Sequence, residues 1–271
     1  MRDDPTSNTA MPNDALESGR GQRMAPSNRR RVLSVAWARH QDEVEQAQRL
    51  RYRVFAEEMG ASLTSGTPGI DADRFDPYCD HLIVRDEDSQ EIVGTYRVLL
   101  PHRAREIGAL YAESEFDLRR LAHLKPRMLE LGRSCVHRNY RSGSTIMALW
   151  SGLGDYSHRW GIETMLGCAS VPMKDGGHYA ASLYREFTRY AEARGGYEAS
   201  PILPLQVGKL DQCRPADPPA LLKGYLRLGA RVCSAPAWDP AFNVADFLTL
   251  LHMSEMSPRY ARHFLGPKSG N

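Results

Sequence analysis

Arg127-Met-Leu-Glu130-Leu-Gly-Arg133-Ser-Cys-Val-His137-Arg-Asn-Tyr-Arg141-Ser-Gly143-Ser-Thr-Ile-Met-Ala-Leu149 reads as a short strand, a basic turn and the start of a helix. Leu129, Leu131 and Val136 have the character of core-facing residues. Glu130 and Arg133 place opposite charges on a strand that otherwise looks half buried, and buried charges are costly unless paired or used. The residues alone leave two readings open, a structural Glu-Arg pair beside a solvated loop or a reaction centre. The turn carries His137, Arg138 and Arg141. Gly143 and Ser144 then open an apolar helix whose N-terminal amides can receive an anion.

Upstream, Val32 to Ala38 alternates as a strand, and Gln41 to Met59 has Val44, Ala47, Leu50, Val54 and Phe55 at helical spacing, with Gly60 as its stop. Residues 61 to 76 form a loop by their Ser, Thr, Gly and Pro content, long enough for a lid or pocket wall. His81 to Arg85 and Ile92 to Leu100 read as two strands around the polar connection Asp86 to Gln90. Downstream, Ser144 to Trp160 is the central helix, Thr164 to Val171 a buried strand, and Tyr179 to Ala193 a second helix. Leu221 to Leu228 is an apolar and aromatic segment ending at Gly229, and Val244 to His252 a last strand. This mixed order predicts one α/β domain, a twisted sheet flanked by helices.

The bulk numbers narrow the function classes. A net charge of +2 over 271 residues gives no reason to expect nucleic-acid binding. Five scattered cysteines without CxxC spacing argue against a disulfide framework or a zinc site, and the nine histidines show no metal spacing, so no metal is expected. No run approaches the length of a membrane-spanning helix and no secretory h-region opens the chain, which points to the cytoplasm. Residues 1–31 read as a disordered polar tail, with Arg29 to Arg31 a weak basic patch.

Further motifs occur in a telling order: Arg51-Tyr-Arg-Val-Phe55, Asp73 with Asp76, Gly94-Thr-Tyr-Arg97-Val-Leu-Leu-Pro101, and Glu130-Leu-Gly-Arg133. The chain resembles the acyl-homoserine-lactone synthases and their branch of the Gcn5-related N-acyltransferase fold. Leu221-Leu-Lys-Gly-Tyr-Leu-Arg-Leu-Gly-Ala230 and Trp238-Asp-Pro-Ala-Phe-Asn243-Val-Ala-Asp246 resemble the ornithine acyl-carrier-protein N-acyltransferases and their hemolysin-like relatives. Two departures stand out. The tryptophan that lactone synthases carry shortly after the position of Phe55 is absent, and Arg138-Asn-Tyr-Arg141-Ser-Gly has arginine where the acetyltransferase pyrophosphate loop has its first glycine.

The resemblance implies an N-acyltransferase domain over 32–271 that moves a 3-hydroxyacyl chain from acyl carrier protein to the α-amine of ornithine, with no cofactor beyond the acyl donor. It implies Glu130 as base for the amine, and Arg133 as its partner or, like Arg97, as a clamp for the substrate carboxylate. Asp73 or Asp76 would take the distal ammonium, with Arg51 orienting them. Backbone amides where the Met128 to Val136 strand splays from its neighbour would hold the oxyanion. His137, Arg138, Arg141, Gly143 and Ser144 would receive the phosphopantetheine arm and the acidic carrier, with Arg103 and Arg105 widening that surface. A lipidic product implies peripheral contact with the inner face of the membrane. Competing readings are a lactone synthase using S-adenosylmethionine, a coenzyme A-dependent acetyltransferase, and a non-catalytic protein that sequesters carrier or lipid.

Overall fold

The computed structural model describes residues 31–63, 65–141, 143–191 and 197–264, with the side chains of 189–191 and 262–264 excepted. The tail up to residue 30 and the last two residues of the helix expected to reach Ala193 lie outside them. Arg31, assigned to the tail, belongs to the domain: its guanidinium donates to the Asn139 carbonyl at 2.7 Å and lies over the Tyr140 ring.

The elements follow in chain order as β1 (Leu33–Trp37), α1 (Gln41–Tyr52), β2 (Asp80–Asp86), β3 (Ile92–Leu99), α2 (Pro101–Ile107), β4 (Phe116–Asp117), β5 (Met128–Val136), α3 (Gly143–Arg159), β6 (Thr164–Pro172), α4 (His178–Ala191), β7 (Ser200–Pro201), α5 (Ala220–Leu228), β8 (Arg231–Val232), β9 (Ala237–Asp239), β10 (Val244–His252) and α6 (Pro258–Phe264). The first helix stops at Tyr52 and widens into a π-helical turn over Arg53–Glu58 instead of running on to Met59. Residues 101–107 form α2. Pro101 at its first turn lacks only an amide that would be unpaired there, and Gly108 ends it in a left-handed conformation.

One sheet carries the order β1-β2-β3-β5-β6-β10-β8, with β9 paired to β10; β4 and β7 form a separate two-stranded ladder. All neighbours in the large sheet run antiparallel except β5 and β6. Leu82, Val84, Tyr96, Val98, Leu129 and Met165 pack on one face against Leu149, Trp150 and Leu153 of α3. Val171 and Phe247 extend that face to Leu183 and Phe187 of α4. The opposite face is covered by α1, through Ala47, Leu50 and Val54, and by a cluster around Phe75, Leu99, Leu110 and Phe116. This two-sided burial encloses β3 along its whole length, Thr95 and Arg97 included.

The sheet opens at its centre. The parallel register of β5 and β6 runs from Met128↔Thr164 to Leu131↔Gly167 and then stops, while β5 continues along β3 and β6 continues along β10. Gly167 permits the last close approach, since a Cβ there would lie 2.7 Å from the Leu131 carbonyl oxygen. Just past that point the β3–β5 register slips by one residue, and Arg133 adopts φ +50°. This is a bulge, and a non-glycine residue in the left-handed region costs about 1–2 kcal/mol. The slip puts Leu131 and Val136, five residues apart, on the same packed face.

Candidate active site

Three arginines and three aspartates interlock on the face beneath α1. Arg51 is fully buried; its Nε donates to Asp71 at 2.7 Å and its terminal nitrogens grip both Asp76 oxygens at 2.6 and 3.2 Å. Arg97 donates to Asp73 at 2.7 Å and to Asp76 at 2.9 Å. Arg133 reaches Asp73 at 3.2 Å and lies 3.3 Å from Asp71. Gln48 and the Asp73 amide add two more donors to Asp76. Burial would raise the Asp76 pKa, but the Arg51 and Arg97 charges and these hydrogen bonds hold it well below the usual carboxylate range. The α1 helix supplies Arg51 and Gln48, the 70–78 segment the carboxylates, and the middle of the sheet Arg97 and Arg133.

Asp73 and Asp76 accept from protein cations, and Arg133 pairs with Asp71 and Asp73 in place of Glu130, one of the two partners expected of it. The bulge turns Arg133 toward Tyr111 and Phe242, whose rings it overlies at 5.0 and 4.7 Å.

Glu130 stands apart from that network. It is 5 % exposed, and its two carboxylate oxygens accept the amides of Tyr111 and Ala112, each at 2.7 Å. Those amides belong to a 3-10 turn at Tyr111–Ser114, so the turn's free N–H groups aim at the carboxylate. Burial raises its pKa to about 7 against the lowering effect of the amides. A carboxylate has about four lone-pair positions, so two backbone donors leave acceptor capacity.

A second buried carboxyl lies on the same face. Asp246 of β10 is 2 % exposed and accepts Ser170 Oγ at 2.6 Å. Burial, with Asp239 and Glu115 nearby, raises its pKa to about 7. Asp239 uses one oxygen to accept the amides of Ala241 and Phe242 at 2.8 and 3.0 Å.

Glu130, Asp239, Asp246, Arg97 and Arg133 line a cavity of about 520 Å³ at the opening of the sheet. Its lining draws on both faces. On the α3 side it is apolar, with Ile146, Leu149, Leu153, Met165, Leu251 and Met256. Within that apolar half the Tyr96 and Tyr225 hydroxyls bond each other beside Ser134 and Trp150, and burial raises both phenols. Leu221, Tyr225 and Leu228 of the α5 signature thus line the cavity, whereas Lys223 is tied to Asp217 at the surface.

The basic turn sits at the same opening. Arg141 lines the cavity, donating to the Val136 carbonyl at 3.1 Å and to Glu58 at 2.6 Å. His137 accepts the Asn139 amide at 3.3 Å, and burial with the nearby Arg53 charge lowers its pKa. Arg138 is exposed in the 3-10 turn before the 17-residue α3, and Gly143 and Ser144 are exposed at its start. Arg103 and Arg105 do not extend this surface. They lie on α2, which follows the end of β3, and β3 runs antiparallel to β5, so they occupy the other end of the sheet.

Asp71, Tyr111, Asp239 and Asp246 were not singled out from the sequence. Asp246 carried a signal: it is the one charged residue in the apolar run Val244–His252, the same criterion that picks out Glu130. Among the described residues no helix is long and apolar enough to cross a membrane, and no His, Cys, Asp and Glu group could hold a metal ion.

Residues 50–151 match the family model described as an acetyltransferase (GNAT) domain. The chain is 36% identical over 281 residues to the L-ornithine N(alpha)-acyltransferase of Agrobacterium fabrum, covering 97% of this chain and 92% of that protein. It is 36% identical over 251 residues to the enzyme of the same name from Brucella abortus, covering 86% and 88%. A CoA-dependent acyl-homoserine lactone synthase, BjaI, shares the fold with a TM-score of 0.52 at 14% identity over 88% of this chain and 92% of that chain.

Proposed function

The chain belongs to the L-ornithine N(alpha)-acyltransferase family, and from that premise we propose that it moves a 3-hydroxyacyl chain from acyl carrier protein to the α-amine of ornithine, giving a lyso-ornithine lipid. The observation that carries this reading is the cavity at the β5–β6 opening, with a buried carboxyl of pKa about 7 on one face and an apolar chamber on the other. The polar half suits an amino acid and the apolar half a fatty chain.

The chemistry follows from these positions. The α-ammonium of the acceptor gives a proton to Glu130, directly or through a water, because a free α-amine of pKa roughly 8 is mostly protonated at neutral pH. The neutral amine attacks the thioester carbonyl. Backbone amides of β5 beyond Leu131, released from β6, stabilise the oxyanion. Collapse of the intermediate breaks the C–S bond, and the leaving thiolate takes up the proton that the nitrogen sheds, leaving an amide and a free thiol. Arg133, held over Tyr111 and Phe242, attracts the substrate carboxylate from the cavity wall. The Arg51, Asp73, Asp76 and Arg97 network fixes the position of Arg133 and of the wall behind it.

The donor enters past Arg138, Arg141 and the exposed start of α3, where positive charge favours a phosphopantetheine phosphate and an acidic carrier. His137, Gly143 and Ser144 shape that entrance. The product carries a fatty chain, so the enzyme works in the cytoplasm in peripheral contact with the inner face of the membrane. Purified full chain incubated with 3-hydroxyacyl carrier protein and a panel of amino acids tests the proposal by mass spectrometry. N-acylornithine is the expected product. No acylated amino acid at all overturns the reading, a lactone formed from S-adenosylmethionine makes the chain a signal synthase, and faster turnover with acyl-coenzyme A replaces the donor.

A further inference from the structure

The cavity holds more negative charge than the amine chemistry uses. Glu130, Asp239 and Asp246 all line it. Arg97 is committed to Asp73 and Asp76 and Arg141 to Glu58, and Arg133, paired with Asp71 and Asp73, is the cation left to meet the substrate carboxylate. Asp246 is 98 % buried, with one oxygen on Ser170, and Asp239 keeps one oxygen outside its turn hydrogen bonds. Carboxylates buried without a counter-cation are costly, so this end of the cavity favours a ligand that brings positive charge.

The spacing fits a diamino acid. Glu130 pairs with Leu166 and Asp246 with Ser170, so the two are four residues along β6 and two strand spacings apart. That puts their Cα atoms roughly 16 Å apart. Side chains reaching toward each other bring the carboxylates to roughly 10 Å, about the span of two hydrogen bonds plus the roughly 6 Å between the nitrogens of extended ornithine. The geometry points to Asp246, assisted by Asp239, as the group that holds the side-chain ammonium of the acceptor while Glu130 faces its α-amine. This rests on the proposed function and adds to it the residue that sets acceptor choice.

Ornithine and norvaline share a carbon chain and differ in the side-chain amine. Their equilibrium binding by calorimetry, and their turnover with the carrier-bound donor, are compared in the parent protein and in Asp246→Asn. The parent is expected to bind ornithine about 10- to 100-fold more tightly than norvaline, as for a hydrogen bond to a charged group. In Asp246→Asn that ratio falls to within about threefold. A parent that does not discriminate, a variant that keeps the discrimination, or equal losses for both acceptors would each overturn the assignment. Asp246→Glu supplies an independent check, because one added methylene should shift preference toward the shorter 2,4-diaminobutyrate, and an unchanged preference for ornithine contradicts the role. Binding reads recognition apart from chemistry, so a protein that binds selectively but acylates nothing fails the proposed function and not this assignment.

Discussion

Two sets of buried charges share one face of the sheet and are built in opposite ways. Around Arg51 and Asp76, cations and anions alternate, Arg51 and Arg97 with hydrogen-bond geometry to Asp76, and the Asp76 pKa falls. Around Glu130 and Asp246 the donors are backbone amides and one serine hydroxyl, and both pKa values rise to about 7. Burial is similar in the two sets, so neutralisation and not depth makes the difference. A charge matched by the protein serves the architecture, while a carboxyl left without a cation is poised to exchange a proton or receive a charged ligand.

The largest expected effect comes from unbalancing the matched set. Asp76→Ala leaves Arg51 and Arg97 short of a counter-charge and should cost about 3–5 kcal/mol in urea denaturation. Asp246→Asn should behave oppositely at pH 8. A carboxyl whose folded pKa is raised binds more protons folded than unfolded, so it withdraws stability as pH climbs from its ordinary value through about 7. The asparagine variant escapes that loss and should be more stable than the parent above pH 7. Equal destabilisation by the two substitutions would erase the contrast.

Next comes the chemistry. Glu130→Gln keeps the shape but cannot take a proton, and kcat/KM should fall by about 10²–10⁴. In the parent, kcat/KM should rise with pH toward a plateau above about 7, because the base works only when ionised. The smallest effect belongs to the entrance: Arg138→Ala, on an exposed side chain, should raise KM for the carrier a few-fold, and less so at high salt.

Much of this architecture is written in local pattern. The turn-bounded strands β2, β3 and β5 and the helical spacing of α3 were legible, and the structure keeps those elements with small shifts at their ends. The short ladders β4, β7, β8 and β9 were not legible, because two or three residues contain less than one full period. The bulge left a trace that period-two reading could have caught. Leu129 and Leu131 are odd-numbered and Val136 is even, so all three can face one core only if the strand slips, and the slip falls at Arg133. In the candidate site, charge type was legible but pairing was not. Arg51, Asp73, Asp76 and Arg97 meet Arg133 through contacts spanning 20 or more residues, which spacing alone cannot register.

The position of acylation tests the central claim most directly. On the proposed reading, Glu130 at one end of the cavity and Asp246 at the other would orient ornithine so that only its α-nitrogen meets the thioester. Tandem mass spectrometry of the product formed from 3-hydroxyacyl carrier protein and ornithine should find the acyl group on the α-nitrogen alone, and acylation of the side-chain nitrogen, alone or in mixture, would contradict it.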